Sequence, residues 1–477
     1  MKNHLLSISR ALALISVLIL GACKKHPEPL DTPGKQPAAH AAPKGSFEAV
    51  TAHLDPGGDL YVYLGTERFL QGTSAKIASL RQLLGDLPDL KPADRENLER
   101  AVGVVTNLFL SSGVEAVRGV GLSSVLRENG LYHSKAMLHH APGAGSGFLW
   151  NLFGQESHAL GGLDLLPANT ALAVFSDLDA ALLWSVIKKQ VADSGWPQAE
   201  EMLQKFPEAF EKATGTEWEK VVNSLDGEFG FAITLDESKS VSVPLPGDQR
   251  MEFPEPALML VAKVKDDTVF NQLDAALKKT GQQIFQTDKP NLKMRTLTLP
   301  VPLPVPLGLN VAASEGYLFI ASTDALVQQA LAVKAGQKPG LKTTAEFQRL
   351  AKDLPQQGNH FTFVSQRFSQ TVNRIQRQAM QMAPAGGAER AQLIQSLLSG
   401  GEPAFFYSVG GNSVEGWIWA ANGNQPPSKF LLTAALVPAG VFAGVALPAV
   451  MHARRGASHS PDDSHSPDDS DSTSPVR

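Results

Sequence analysis

The stretch Leu166-Pro-Ala-Asn-Thr-Ala-Leu-Ala-Val-Phe-Ser-Asp177 constrains the chain most, because it reads as a turn feeding a strand and its pattern is written twice more. Pro167 fixes its own φ and Asn169 tolerates unusual backbone, which marks the turn. Leu172, Val174 and Ser176 then alternate with Ala171, Ala173 and Phe175, as on the two sides of a strand. Asp177 reads as a helix N-cap, with Leu178, Ala181, Leu182 and Val186 recurring on one helical face. The echoes run from Leu54 to Leu64 and from Leu354 to Ser365, each leading from a turn into a strand and on to a helix. Sequential pairing of such units predicts an α+β fold: repeated modules of antiparallel sheet with helices packed on one face.

Modules of this kind are expected at 46–160, 161–345 and 346–425. The 477 residues suffice for two or three domains, and a hydrophobic content of 43% supports real cores. In the first module Val114 to Leu126 and Gly130 to His140 read as strands around the turn Glu128-Asn-Gly130. In the second, Gly227 to Leu235 alternates Phe229, Phe231, Ile233 and Leu235, while Ala257 to Val264 is apolar nearly throughout and expects cover on both sides. Asp266-Asp267 is expected to cap a helix closed by Gly281, and further strands are expected at Leu292 to Leu299, Leu309 to Ala313 and Tyr317 to Ala321. Thr343-Thr-Ala-Glu346 reads as a capping box. Leu299 to Leu307 places proline at every second position, which fits an edge strand and not a central one. Strands at Ala404 to Val409 and Glu415 to Ala420 complete the third module.

The two ends of the chain read differently. Residues 1–22 carry Lys2 and Arg10 before the apolar run Ala11 to Leu20, too short for the roughly 20 residues of a bilayer crossing, so they read as an export signal. Leu20-Gly-Ala-Cys23 resembles a bacterial lipobox, which implies lipidation of Cys23, the single cysteine. By resemblance to Gram-negative lipoproteins, Lys24 in place of aspartate favours the outer membrane. Residues 23–45 are proline-rich with no apolar face and read as an extended tether. A C-terminal hydrophobic segment is expected at 429–452. Phe430 to Met451 carries no charge and would give roughly 33 Å of helix, with Arg454 and Arg455 behind it; a spanning helix would either keep the lipid in the inner membrane or bridge the two membranes, and a buried or surface-lying hairpin is the alternative. Residues 453–477 repeat Ser-His-Ser-Pro-Asp-Asp and read as a disordered acidic tail.

Chemistry is sparse. With 42 basic and 47 acidic residues and no basic cluster, nucleic acid is not an expected partner. One cysteine excludes internal disulfides and cysteine-based metal centres. Ser185-Val-Ile-Lys188 and Lys279-Thr-Gly281 match two motifs of penicillin-recognising enzymes in order, yet the second closes a helix where those enzymes need a strand, and the serine-asparagine motif between them is missing. Gly143 to Gly147 lacks the lysine of a phosphate loop, and Gly121-Leu-Ser-Ser-Val125 lacks the last glycine of a nucleophile elbow. His133 and His139 would point one way from a strand and His140 the other, with His158 on a loop, which fits a solvated sheet face better than a metal site. Asp177 and Asp179 are explained by capping. No catalytic, cofactor-binding or metal-ligating set is expected, and Cys23 is the one site residue.

Gly147-Phe-Leu-Trp-Asn-Leu-Phe-Gly154, the run Leu163 to Leu172, Glu255 to Val264 and Glu315 to Ser322 resemble an uncharacterised family of bacterial extracytoplasmic proteins, known only as a domain of unknown function and often found on lipoproteins. The resemblance spans roughly Phe47 to Asn424. It implies a repeated α+β architecture outside the cytoplasm and carries over no site residue. The expected function is therefore a membrane-anchored, cell-envelope binding or scaffolding module with an envelope protein as partner. The alternatives are a periplasmic carrier or sensor of an apolar ligand such as a lipid, and an envelope hydrolase.

Overall fold

The computed structural model describes residues 45–70, 111–140, 147–244, 250–298, 308–381 and 403–426, with scattered positions between 72 and 110. The strands of the first part are β1 (Leu60–Gly65), β2 (Val117–Leu126), β3 (Tyr132–His140), β4 (His158–Ala159), β5 (Thr170–Asp177), β6 (Leu225–Pro244) and β7 (Arg250–Val264). Those of the second are β8 (Ile284–Lys289), β9 (Leu292–Thr298), β10 (Gly308–Ser314), β11 (Tyr317–Ala321), β12 (Gln357–Gly358), β13 (His360–Val364), β14 (Phe406–Ser413) and β15 (Gly416–Gly423). β4 and β12 pair with each other, and the other thirteen form one antiparallel sheet in the order β1-β2-β3-β15-β14-β13-β5-β6-β7-β11-β10-β9-β8. The last meander, β13 to β15, is thus inserted between the first two, with β15 on β3 and β13 on β5. Strands from all three expected modules share one sheet, and the described residues through Gln425 form one compact unit.

Ten helices with assigned bounds accompany the described strands. They are α1 (Ser46–Thr51), α2 (Glu67–Leu70), α3 (Leu149–Leu152), α4 (Ala180–Ser194), α5 (Pro197–Thr214), α6 (Trp218–Ser224), α7 (Thr268–Lys279), α8 (Asp324–Lys334), α9 (Ala345–Ala351) and α10 (Gln366–Gln381). On one sheet face Phe175, Met259, Val261, Phe319 and Phe361 pack against Leu326, Val327 and Ala330 of α8 and Phe347 and Leu350 of α9. Each such phenylalanine contributes roughly 1.5–3 kcal/mol by leaving water. On the opposite face Val311, Ala313 and Leu318 pack against Phe270 and Leu277 of α7. Leu318 and Phe319 are neighbours on β11, and side chains alternate along a strand, so the helices cover both faces. This corrects the expectation of helices on one face. β10 and β11 are apolar at consecutive positions, and such strands need cover on each side.

Several boundaries differ from expectation for physical reasons. β8 carries no readable alternation, since Ile284 and Phe285 give way to Gln286, Asp288 and Lys289; pairing to β9 makes it a strand. The β6–β7 hairpin extends past its apolar runs, through an irregularity between Asp236 and Ser240 to Pro244 opposite Arg250. α9 is capped by Thr344, whose hydroxyl accepts from Phe347 N–H, while Glu346 accepts from Gln366 N–H instead of closing a capping box. Gly281, at φ +68°, does close α7. The leader, Cys23, all but the last residue of the tether, the proline-alternating run 299–307, the segment 429–452 and the tail lie outside the described residues. Among the described residues no helix is long and apolar enough to cross a membrane.

Candidate functional site

The ends of β5, β6 and β7 open beside the segment 151–158, and the two sides enclose a cleft of about 480 Å³. The segment is held from its start. Trp150 on α3 packs on His140 at 4.4 Å and on Trp417 at 5.2 Å between ring centroids, and Phe153 meets Trp417 at 5.9 Å. Gly154 then turns the chain at φ +84°, where a Cβ would overlap Asn359 Nδ2 and stand 2.6 Å from Asp177 Oδ2. Only glycine meets both demands. The two-residue pairing of β4 with β12 finishes the segment and aims His158 at the sheet.

His158 Nε2 lies 2.7 Å from Asp177 Oδ2, and its Nδ1 lies 2.8 Å from the carbonyl oxygen of Ala159. Both partners accept, so both ring nitrogens must donate. Burial by itself would lower the imidazole pKa, but the bonds to Ala159 and Asp177 and the charges of Asp177 and Glu228 outweigh it and hold it above 6.5. Asn359 Nδ2 donates to Asp177 Oδ2 and to the Glu156 carbonyl, each at 2.8 Å, and Asn359 Oδ1 accepts from Asn412 N–H at 2.9 Å. Asn412 Nδ2 donates in turn to the carbonyls of Phe153 and Gly154. Two asparagines from β13–β14 territory thereby staple the segment to the end of the sheet.

Glu228 stands directly opposite Asp177 in the β5–β6 register, a like-charge pairing that is unfavourable by itself. The imidazolium of His158 and the Gly162 N–H, which donates to Glu228 Oε1 at 2.7 Å, offset that repulsion. Burial still pushes the Glu228 carboxyl above its usual range, and the charge of Asp177 adds to the rise. Tyr317 is pushed up to about 12, first by burial and then by Glu228, Asp164 and Asp226. Around the rest of the rim Lys263 pairs with Asp226 at 3.1 Å and Lys265 Nζ donates to the Asn223 carbonyl at 3.0 Å. The cleft is therefore polar and carries both signs of charge.

An imidazole that donates from both nitrogens has no lone pair with which to take a proton or bind a metal. In that doubly protonated form His158 can give a proton but not take one, and Asp177 and the Ala159 carbonyl hold the ring in place. Asp177, read as a helix cap, is not one: Asp179 caps α4, its Oδ1 accepting from Leu182 N–H at 2.8 Å. The available signal is the presence of two aspartates where one helix start needs a single cap. Asn359 and Asn412 give no sequence signal, since their partners at Phe153, Gly154, Glu156 and Asp177 are remote in sequence.

The other motifs are engaged elsewhere. Ser185 Oγ donates to the Leu182 carbonyl, Lys188 lies 3.9 Å from Glu219, and Lys279 Nζ donates to the Ala213 carbonyl. Ser123 Oγ accepts from Asp55 N–H, and Ser124 bonds Ser134 across β2 and β3. His133 is buried and bonds Asn422 Oδ1 at 2.7 Å, and His139 bonds the Glu415 carbonyl. These burials correct the expectation of a solvated histidine face, because Asp55 and Asn422 meet His133, the Glu415 turn meets His139 and Trp150 packs on His140. Among the described residues no three His, Cys, Asp or Glu side chains are grouped to hold a metal. Cys23 lies outside the described residues, as do Gly143 and Gly145.

No curated protein and no solved structure matches the chain. A family profile matches residues 149–399, just over half of the chain and the span that holds His158, Asp177, Glu228 and Asn359, and by that match the chain belongs to the family described as Protein of unknown function (DUF3352).

Proposed function

We propose that this chain is a membrane-tethered, extracytoplasmic binding module that takes a small polar ligand in the cleft beside His158, Asp177 and Glu228. One observation carries the reading: both nitrogens of His158 face acceptors, so the most organised polar constellation at the cleft is held in a fixed position. Fixed donors and acceptors on a rigid strand end are what recognition of a polar group requires. The leader and the Leu20-Gly-Ala-Cys23 motif support the tether, and Lys24 supports the outer membrane as its site. Repetition of modules is part of the proposal. It is supported by β1 with α2, β5 with α4 and β13 with α10, each a strand followed within a few residues by a helix.

A second reading, carriage of an apolar ligand, is favoured by Leu258 and Leu260 of β7, which are 40% and 46% exposed on the α7 side of the sheet next to half-buried Phe231 and Ile320. Native mass spectrometry of the chain from a periplasmic expression separates the two. A small polar mass carried by wild type and lost in Asp177→Ala supports the cleft. A lipid-like mass insensitive to Asp177→Ala but lost in Leu260→Asp overturns the cleft in favour of the carrier. A bare mass from wild type sinks both as tight binders and leaves scaffolding through protein surfaces. The tether fails if the mature N-terminus is not a diacylglyceryl-modified Cys23.

A further inference from the structure

The two edges of the thirteen-stranded sheet are built differently. β8 carries Gln286, Asp288 and Lys289, and Asp288 bonds Arg295 at 2.8 Å. β1 is Leu60-Tyr-Val-Tyr-Leu-Gly65, with neither charge nor proline, and its Tyr61, Val62 and Leu64 are 41%, 46% and 61% exposed. Its inner edge pairs residue by residue with β2, from Leu60 opposite Ser124 to Gly65 opposite Gly119. No described residue pairs with its outer edge. Such an edge offers backbone donors and acceptors to any extended chain, and natural sheets guard it with charge, proline or cover. β8 has the charges. β1 does not.

We propose that β1 pairs antiparallel with β1 of a second copy of this chain, about a two-fold axis normal to the sheet. The register follows from the pleat. In one continuous sheet directly opposed side chains lie on the same face, so residues of like parity must meet. Centring on Val62 sets Val62 against itself, Leu60 against Leu64 and Tyr61 against Tyr63. Every cross-strand pair is then aliphatic with aliphatic or aromatic with aromatic, which are the favourable kinds. Asp59, the nearest charge before the strand, falls opposite Gly65 and not opposite its own copy.

The place where the described chain begins argues for a second copy over an unrelated strand. α1 packs on β1 and β2, with Ser46 Oγ 2.7 Å from Tyr63 Oη and Phe47 edge-to-face on Tyr63 at 5.1 Å. The described chain begins at Gly45, beside β1. In the dimer both Gly45 residues lie next to the shared seam, so on the proposed tether two chains anchored in one membrane bring their seams together at raised effective concentration. The pairing itself depends on the strand and not on the lipid or on the cleft.

The test uses the full chain purified in detergent. Light scattering is expected to give twice the protein mass of one chain. Val62→Cys is expected to cross-link to a covalent dimer with a short bismaleimide, while Gln286→Cys on the opposite edge and the wild type, with only Cys23, do not. Val62→Lys is expected to halve the mass while keeping the wild-type circular dichroism spectrum. A wild type of single-chain mass overturns the proposal, as does cross-linking through Gln286→Cys that equals that through Val62→Cys. Because Val62→Cys reads the seam in a chain with its fold undisturbed, the cross-link still decides the matter if Val62→Lys misfolds.

Discussion

Strands β5 and β13 pair over five positions, and the ladder is apolar at Phe175 opposite Phe361 but ionic just beyond, where Asp177 reaches His158 and Asn359. The rings of Phe175 and Phe361 stack at 4.9 Å with 10° between planes, and neither exposes more than 2% of its surface. Gly230 makes this fit, because a Cβ there would overlap the Phe175 ring. At Asp177 the stabilising contacts are hydrogen bonds to a charged acceptor, beside a half-exposed imidazolium. One strand pair thus holds no titrating group at Phe175 and Phe361 and is sensitive to pH toward its tip. There the pKa of His158 is raised and that of buried His360, opposite Ser176, is lowered to about 4. Burial of hydrocarbon involves no proton, whereas the charge that His158 gains on protonation strengthens its bond to Asp177 at the tip.

The most severe disruption of the apolar half is Phe361→Ala, which leaves a cavity in the main core and should cost about 3–5 kcal/mol by chemical denaturation, with an unchanged pH profile. At the ionic tip Gly154→Ala is expected to cost about 3 kcal/mol. A left-handed backbone conformation contributes roughly 1–2 of that, and displacement of the Asn359–Asp177 bond the rest. A thermal melt checks it, and an unchanged melting temperature would show that the segment accommodates a side chain. Asp177→Asn keeps the size but removes the charge, with an expected loss of about 2 kcal/mol. The same variant should lower the His158 pKa in an NMR titration, since the acceptor that raises it is gone.

The mildest effect is the pH dependence that sets the two halves apart. The folded pKa of His158 is raised above 6.5, so its contribution is complete below 6.5 and is lost as pH rises through the folded value. Glu228, also raised, acts in the same direction from lower pH: its buried carboxyl is comfortable when protonated and costs stability as pH climbs past 4.5. These two groups make stability decline with rising pH, whereas His360, lowered by burial to about 4, acts the other way and costs stability as pH falls below 6.5. His158→Gln should flatten the upper part of the curve by about 0.5–1 kcal/mol, a small figure because the imidazole is nearly half exposed and screened. A wild-type profile that is flat above pH 6.5 would show that the His158–Asp177 pair carries no stability.

Much of the sheet is legible in the sequence because alternation of apolar side chains is a local signal. Tyr317 to Ala321 is a strand over the predicted residues, and Asp324 to Lys334 forms the predicted helix two residues short of Gly336. What stays hidden depends on partners remote in sequence. β8 is a strand by virtue of β9 and not of its own weakly patterned residues. Asp177 reads as a cap because its near neighbours explain it that way; only the arrival of His158, and of Asn359 from 182 residues away, gives it another task.

Short-range chemistry, written along the chain, carries the class of fold, the antiparallel strands, the helix ends at Gly281 and Asp324, the likeness of Gly147 to Gly154 to a family pattern and the expectation of lipidation at Cys23. Each rests on side-chain periodicity, on fixed backbone angles or on a contiguous motif. Three-dimensional packing carries the rest: β13 to β15 enter between β3 and β5, helices cover both sheet faces, and His158, Asp177, Glu228 and Asn359 meet at one strand end. The physical reason is that burial and charge pairing act through space, and the sheet order that sets those distances is a property of the whole chain and not of any stretch of it.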